Sequence, residues 1–335
     1  MFSEKQTQVV ASRQVETTFL CTMMHFLVDG ICLCCLYMIA YWLDGFMLIA
    51  MITTYNVLAF LTQPFTGICA DRWERRHWIL LCSNMLLILA VVVVIWISAI
   101  GVSQAHSVLV FVMAAMLGIG NSLFHVWGGK ETAVKTSNDI RAMGVFVSSG
   151  ALGLTLGLLY SSWPLLYVFL LTYSLLSVVY VLRDNVAVRS FHVVAAETDI
   201  RRRWPLGLAI LALAALMAFV VFRSFVGQDL SSVLGKERWM VLAVGALSMA
   251  GKMAGGFISK WLGTVSTLVM ALIAVALCLW CKDFGMAVPL LGLFLINCTM
   301  PITLYWANGV LEGKEGLAFG LLAAALVPGY LLALL

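Results

Sequence analysis

Charged residues are scarce in this chain of 335 amino acids. Asp, Glu, Lys and Arg make up only 11% of it, whereas hydrophobic residues make up 63% and the mean hydropathy is +1.03. Globular domains in water contain roughly 25% charged residues, so this composition excludes a soluble protein and indicates a membrane protein. The net charge of +4 is no evidence for a nucleic-acid partner, because Lys and Arg collect in the cytoplasmic loops of membrane proteins.

The sequence also lacks the patterns of several other protein classes. Its nine cysteines do not have the spacing of a disulfide scaffold, and Cys278 and Cys281 have no second pair or histidine near them, so we expect neither a metal site nor a cofactor. No phosphate-binding loop, His-Glu-x-x-His motif or nucleophile motif is present, which is evidence against nucleotide-driven transport and against an enzyme. Residues 1–17 are polar, and the apolar run after them lacks a small-residue cleavage site, so no signal peptide is expected.

Long apolar runs dominate what is present. Eleven of them have the roughly 17–25 residues that cross a hydrocarbon core of about 30 Å. They fall at 18–42, 46–69, 78–100, 106–128, 143–161, 163–182, 204–226, 239–260, 263–281, 284–306 and 317–335. Because the runs are continuously apolar rather than alternating, they favour helices over a membrane barrel. We therefore predict an all-α, polytopic membrane protein with eleven visible spans.

Loop charge predicts the orientation of the spans. With the N-terminus in the cytoplasm, the inner loops contain 15 Lys and Arg residues and the outer loops only 3, namely Lys236, Arg238 and Lys282. Positive charge marks the cytoplasmic side. Compact loops and the absence of organellar signals then favour the cytoplasmic (inner) membrane of a bacterium.

The longest break between spans predicts a division into two halves. It covers residues 183–203, is polar and basic, and has six spans before it and five after it. We predict a six-helix bundle at 1–182, a cytoplasmic linker at 183–203 and a five-helix bundle at 204–335. A weak repeat supports this division, since Gly67–Trp73 ends the second span and Gly255–Gly263 ends the eighth.

The loop after the second span carries a recognisable motif. It reads Gly-Ile-Cys-Ala-Asp-Arg-Trp-Glu-Arg-Arg and resembles the pattern Gly-x-x-x-Asp-Arg-x-Gly-Arg-Arg of major facilitator superfamily transporters. The matching positions are Gly67, Asp71, Arg72, Arg75 and Arg76, while Glu74 replaces the usual glycine. The resemblance implies two six-helix halves that bind substrate between them. It also implies that the motif is a conformational latch on the cytoplasmic side. The alternative is an ordinary positively charged turn.

That family has twelve spans, so one helix is missing from the count. We expect a truncated or unusually short member. The fifth span places Gly150, Gly153 and Gly157 on one face. This spacing suits close helix packing; the family's antiporters have a glycine-rich motif in the same helix, but its Gly-Pro pair is absent here.

Polar residues on the first span predict a coupling site. Thr18, Thr22, His25 and Asp29 are spaced by four, three and four residues, which places them on one helical face. Asp29 is the only acid deep inside a predicted span, and His25 lies one turn away. Two interpretations stay open: a proton-coupling pair, or a structural hydrogen bond that fixes helix packing.

The fourth span repeats this pattern with Gly118, Asn121 and His125. Together with the segment His-Phe-Leu-Val-Asp-Gly at 25–30, it resembles the fosmidomycin-resistance branch of exporters in the same superfamily. The resemblance implies that His125 faces the same chamber as His25. We take His125 and Asn121 as candidate substrate-binding residues, with a packed histidine as the alternative.

Two deep cations predict the charge of the substrate. Lys252 lies about thirteen residues into the eighth span, far from either interface, so it must face an aqueous cavity or a carboxylate partner, for which Asp29 is the one deep acid available. Arg223 lies near the outer end of the seventh span, where it either contributes to the site or extends to the interface. Asn297, before Pro301 in the tenth span, completes the polar set. Two cations against one acid favour an anionic or zwitterionic substrate.

These observations predict a secondary active transporter. We expect proton-coupled export of a small anionic or amphipathic organic solute by alternating access. The protein is expected to be a monomer in a lipid bilayer, with protons and the solute as its partners and no nucleic-acid partner. The alternatives are proton-coupled uptake of an organic anion, and a non-transporting receptor or scaffold with the same fold.

Overall fold

The structure, a computed structural model, describes residues 4–72, 77–101, 107–191 and 204–332. Within these ranges every regular element is helical and no strand occurs. The predicted all-α class is confirmed.

Fourteen α-helices follow one another along the described chain. They are α1 (Glu4–Ala40), α2 (Gly45–Asn56), α3 (Gln63–Arg72), α4 (His77–Ile100), α5 (Ser107–Lys135), α6 (Ile140–Leu159), α7 (Trp163–Phe191), α8 (Leu206–Ser232), α9 (Arg238–Leu262), α10 (Thr264–Trp280), α11 (Ala287–Asn297), α12 (Met300–Val310), α13 (Glu315–Ala324) and α14 (Leu326–Leu332). A π-helical turn at Val57–Leu61 joins α2 to α3, and a 3-10 turn covers Lys282–Phe284.

Most of these helices are apolar. Ten continuous helical stretches of the described chain are long and apolar enough to span a bilayer, and Thr264–Trp280 is a shorter apolar helix between two of them. Ten of the eleven predicted spans correspond to these stretches, with ends that shift by several residues, and the predicted span at 263–281 corresponds to the shorter helix. Large apolar side chains such as Leu171, Leu175 and Ile273 are exposed on the outer surface of the bundle, as lipid contact requires. The chain is a multi-pass membrane protein.

Local sequence sets where the helices begin and end. Asp44 accepts a hydrogen bond from the Met47 N–H at 2.8 Å and caps α2, and Asp139 caps α6 by accepting from the Arg141 N–H. Gly263 has a φ of 87°, which only glycine adopts readily, and it separates α9 from α10 within a single residue.

Three crossings are interrupted near their middle. The π-helical turn divides α2 from α3, Cys298 and Thr299 divide α11 from α12 ahead of Pro301, and Ala325 divides α13 from α14. A proline removes a backbone donor and a π-helical turn changes the hydrogen-bond register. Within a membrane such breaks are tolerated where they are buried in protein or border an aqueous cavity.

Helix α6 packs closely against two partners. A Cβ on Gly153 would overlap the Phe26 carbonyl oxygen of α1, and one on Gly144 would lie 2.9 Å from the Lys252 carbonyl oxygen of α9. The contact between α6 and α9 also includes Gly256, which faces the Ile140 carbonyl. Small residues allow such backbone contacts between membrane helices. The predicted packing role of the fifth-span glycines agrees with this geometry.

The predicted division into two halves is not decided by these contacts and stays a prediction. Residues 183–191 of the predicted linker continue helix α7, and 192–203 lie outside the described residues. We call the end of the bundle that carries Arg72, Lys135, Arg141 and Lys260 the basic end.

Candidate functional site

A cavity of about 420 Å³ lies between α1, α2, α6, α8, α9, α12 and α13. It begins near His25 in the middle of the bundle and extends to Tyr37, Ala40 and Leu48 at the end opposite the basic end. Its walls are mostly apolar. The charged and imidazole side chains that line it are His25, Asp29, His125, Arg223 and Lys252, all of which were sequence-based candidates.

Three of these side chains form a compact cluster, which we call the triad: His25, Asp29 and His125. His25 Nε2 lies 3.4 Å from Asp29 Oδ2, and His125 Nε2 lies 3.5 Å from Asp29 Oδ1. The two imidazole rings meet edge to face with centroids 4.5 Å apart. His25 and Asp29 are buried, and His125 is partly exposed toward the cavity.

Backbone carbonyl groups fix the tautomer of both histidines. His25 Nδ1 lies 2.7 Å from the Phe146 oxygen, and His125 Nδ1 lies 2.9 Å from the Asn121 oxygen. A carbonyl oxygen can only accept, so both Nδ1 atoms carry the hydrogen. In the neutral rings both Nε2 lone pairs therefore point at the Asp29 carboxylate. The two lone pairs and the carboxylate repel one another. A positively charged species between the imidazole nitrogens and the carboxylate oxygens removes this repulsion.

Neighbouring groups hold the carboxylate in place. Asn121 Nδ2 donates to Asp29 Oδ1 at 3.0 Å, which gives this predicted substrate residue a contact with Asp29 rather than with the cavity. Gly150 leaves room for the Asp29 carboxylate and the His25 ring, because a Cβ at this position would overlap Asp29 Oδ2 and His25 Nε2. A sequence pattern alone could not have shown this use of Gly150.

Arg223 and Lys252 form a separate positive region of the cavity. Arg223 is buried, its Nη1 has no hydrogen-bond partner, and neither side chain forms an ion pair within the described part of the chain. Lys252 therefore lines the cavity, which is one of its two expected surroundings, and it does not pair with Asp29, which contacts the two histidines instead. Arg223 is buried in the cavity wall, which favours the interpretation that it contributes to the site over the interpretation that it extends to the membrane interface.

Contacts around Asp71 join α3, α5 and α13 at the basic end. Its carboxylate accepts from the backbone N–H groups of Gly316 at 3.0 Å and Leu317 at 2.8 Å, at the N-terminus of α13. Lys130 Nζ lies 3.1 Å from Asp71 Oδ1 and donates to the Ala70 oxygen at 2.6 Å. A carboxylate at a helix N-terminus is stabilised by free N–H groups and by the helix dipole. We call Asp71, Lys130 and the N-terminus of α13 the latch.

Gly67 and Arg72 are the other described members of the predicted latch motif. A Cβ on Gly67 would overlap the Gly316 backbone, so this glycine permits α3 to contact α13. Arg72 is exposed at the end of α3. Arg75 and Arg76 lie outside the described residues.

A second contact closes the same end. The Asn308 amide donates to Asn138 Oδ1 at 3.0 Å, and the Asn138 amide donates to the Tyr305 oxygen at 3.2 Å. Asn138 has a φ of 57°, in the left-handed region that asparagine tolerates better than most residues. The loop between α5 and α6 therefore contacts α12 directly.

Some predicted and some unpredicted residues lie outside the cavity. Asn297 does not line it; its amide donates to the Leu293 oxygen and lies 3.5 Å from Ser248 Oγ. Sequence analysis missed Lys130 and Glu131, because it ended the fourth span at 128 whereas α5 continues to Lys135. Glu131 is buried and accepts from the Tyr180 hydroxyl at 2.8 Å.

Comparison with known proteins gives a fold but no sequence family. No family model and no curated protein sequence matches the chain at a significant level. Among solved structures, the E. coli fucose:proton symporter FucP has a TM-score of 0.63 at 13% identity, and the comparison covers 95% of this chain and 90% of that one. The fold is that of the major facilitator superfamily transporters.

Two further structures with the major facilitator fold are similar over the same shares of both chains. FucP in the outward conformation has a TM-score of 0.65 at 13% identity. A bacterial homologue of the iron transporter ferroportin, in an outward-facing state, has a TM-score of 0.52 at 14% identity. At these identities the likeness is one of fold.

The latch generates a testable prediction. Asp71→Asn removes the charge that faces Lys130 and the α13 N-terminus, an interaction of about 1 kcal/mol, which corresponds to roughly a fivefold change in population. We expect spin labels at positions 69 and 314, in a cysteine-free background, to show a larger fraction of long distances at the basic end. Asp44→Asn is the matched control, since it changes the cap of α2 at the opposite end. Identical distance distributions for Asp71→Asn and the unsubstituted protein would contradict the latch.

Proposed function

We propose that this protein is a secondary active transporter that moves a small anionic or amphipathic organic solute by alternating access, coupled to protons and in the direction of export. The observation that carries the proposal is one cavity with two separate charged regions: the triad, which calls for a cation, and Arg223 with Lys252, which calls for an anion. The composition and the major facilitator fold support transport, and no enzymatic motif competes with it.

The positive region supports an anionic solute. A charge near the centre of a membrane helix costs roughly 2.5–3.5 kcal/mol or more, so two cations without a carboxylate partner are expensive for the apo protein. An anion bound to Arg223 Nη1 and to Lys252 offsets this cost. The apolar remainder of the cavity suits a hydrocarbon or aromatic body, which is why amphipathic solutes are included.

The triad supports proton coupling. With both Nδ1 hydrogens held by carbonyl groups, an added proton on either Nε2 forms a charge-assisted hydrogen bond to Asp29. Proton binding and anion binding in the same cavity are linked, and each changes the affinity for the other by the same factor. Because Lys252 does not contact Asp29, this linkage acts through the shared electrostatic field and the change of state, rather than through competition for one ion pair.

Alternating access is supported by the closed basic end and the cavity that extends to the other end. In our proposal the halves 1–182 and 204–335 rock about the cavity, and the latch stabilises the state with the basic end closed. If the basic end is cytoplasmic, the structure corresponds to an outward-facing state, like two of the similar transporters.

The direction of transport has an alternative. FucP is a proton symporter, which favours uptake, whereas the motifs at 25–30 and 118–125 resemble exporters of the fosmidomycin-resistance branch. We keep export as the proposal and proton-coupled uptake of an organic anion as the second candidate. A receptor or scaffold would bind solute without moving it, so net flux in proteoliposomes separates it from both.

The proposed orientation is tested by cysteine labelling. We expect a cysteine at position 236 to react with a membrane-impermeant reagent added to intact cells, because the outer loops are poor in Lys and Arg. A cysteine at position 72 should react only after the membrane is permeabilised. The cysteine-free protein is the control, and labelling of position 72 from outside would reverse the orientation.

Asp29 should be needed for coupling but not for movement of the solute. In proteoliposomes that contain Asp29→Asn, we expect pH-gradient-driven transport to be lost while exchange of solute for solute continues, because the amide no longer binds a proton together with the histidines. Counterflow and gradient-driven flux are measured in the same preparation. Asp229→Asn, which changes an acid paired with Lys282 at the end of α8, is the control. Uphill transport by Asp29→Asn with an unchanged pH profile would make Asp29 a packing residue.

Lys252 should contribute to the binding of anionic solutes but not of neutral ones. We expect Lys252→Ala to weaken the binding of organic anions by roughly 10- to 100-fold, the loss that corresponds to about 1.5–3 kcal/mol for a hydrogen bond to a charged group. Binding of a neutral analogue of the same shape should change little. The measurement is equilibrium binding to purified protein, with Lys260→Ala on the same helix as the control. Equal losses for anion and analogue would place Lys252 outside the substrate site.

A further inference from the structure

We propose that His25, Asp29 and His125 form a binding site for one divalent transition-metal ion of the zinc class, held by two imidazole nitrogens and a carboxylate. This inference needs only the geometry of the triad. It goes beyond the proposed transport and does not depend on it.

The distances within the triad match a tetrahedral site. Zinc bonds to imidazole nitrogen and carboxylate oxygen are about 2.0–2.1 Å long, so neighbouring ligand atoms around a tetrahedral ion lie roughly 3.3 Å apart. His25 Nε2 and His125 Nε2 lie 3.4 and 3.5 Å from the two Asp29 oxygens, and all three ligand atoms lie within 4.8 Å of one another. Each imidazole faces a different oxygen of Asp29, so binding of one ion by all three residues requires a side-chain movement that brings both nitrogens to the same oxygen or the ion between the two oxygens.

The hydrogen bonds around the triad are those of a metal site. Histidines that bind metals usually donate the other ring N–H to a carbonyl or carboxylate, which fixes the tautomer and the ring orientation. Here both Nδ1–H groups donate to backbone oxygens, of Phe146 and Asn121, and each Nε2 faces one oxygen of the Asp29 carboxylate. The Asn121 amide orients the carboxylate by donating to Oδ1. Every ligand therefore has its supporting partner.

The cavity gives an ion access to the triad. All three residues line it, so an ion bound by them could take a further ligand from the cavity. Nitrogen and oxygen ligands without a thiolate suit Zn²⁺, Co²⁺ or Ni²⁺ better than Cu⁺. A proton on either Nε2 occupies the lone pair that the metal requires, so metal and proton exclude each other.

Arg223 and Lys252 oppose metal binding through charge repulsion. Both cations line the same cavity as the triad, where like charges repel more strongly than in water because the surroundings are apolar. Removing Lys252 should therefore strengthen metal binding. An adventitious site on an exposed thiol or on the protein surface would not respond in this way.

The test is equilibrium binding of Zn²⁺ to the purified full chain in detergent, after alkylation of the accessible thiols, which include Cys69 and Cys82. We expect one ion per chain. His25→Gln and His125→Gln should each weaken binding by more than about 100-fold, and Asn121→Ala by about 10- to 100-fold, as changes around metal sites typically do. Lys252→Ala should tighten binding at least about threefold. His77→Gln, which removes a histidine paired with Asp184 outside the cavity, should have no effect.

X-ray absorption on the unsubstituted protein keeps the inference testable even where a variant folds poorly. We expect two imidazole nitrogens and at least one oxygen around the bound ion, and no sulfur. Sulfur ligands, the absence of stoichiometric binding, or equal affinity in the His25→Gln, His125→Gln and His77→Gln proteins would overturn the proposal. None of these outcomes would contradict proton-coupled transport, which is measured separately as flux.

Discussion

The structure depends on how closely α6 can approach its neighbours. A helix with side chains at positions 150 and 153 could not contact α1 as α6 does, because Gly150 leaves space for Asp29 and His25 and Gly153 meets a backbone oxygen of α1. This approach brings the Phe146 carbonyl to His25 and so fixes its tautomer. The same helix contacts α9 through Gly144, near the backbone of Lys252. One close-packed helix thus connects the two charged regions of the cavity.

The separation of charge inside the cavity follows from this packing. Asp29 has two imidazole neighbours and an amide donor, whereas Arg223 and Lys252 have no acid partner within the described chain. In an apolar bundle the two regions are weakly screened, so the occupancy of one changes the affinity of the other. Direct pairing of Lys252 with Asp29 would have neutralised both charges and left one ion pair in the cavity wall instead of two charged regions.

Much of the fold could be predicted from hydropathy alone, because the bilayer requires continuous apolar helices of a fixed length. The triad was predictable in part: the spacing of His25 and Asp29 on one helix is visible in sequence, but their contact with His125 needs the packing of α1 against α5. Lys130 shows the limit most clearly. A lysine at the end of an apolar run indicates a loop, and only the position of Asp71 in space turns it into a buried ion pair. The direction of the histidine rings depends on carbonyl groups that no sequence pattern specifies.

The interrupted crossings have a mechanical consequence. Part of the cavity wall, formed by α2, α3, α12, α13 and α14, consists of short helices joined near mid-membrane rather than of straight continuous helices. Phe60, Met300 and Leu326 line the cavity next to these joints. A break in a helix removes backbone hydrogen bonds at that point, so bending there costs less than bending a continuous helix. This part of the wall is therefore more easily deformed at mid-membrane than at the basic end, where Asp71 contacts the N-terminus of α13.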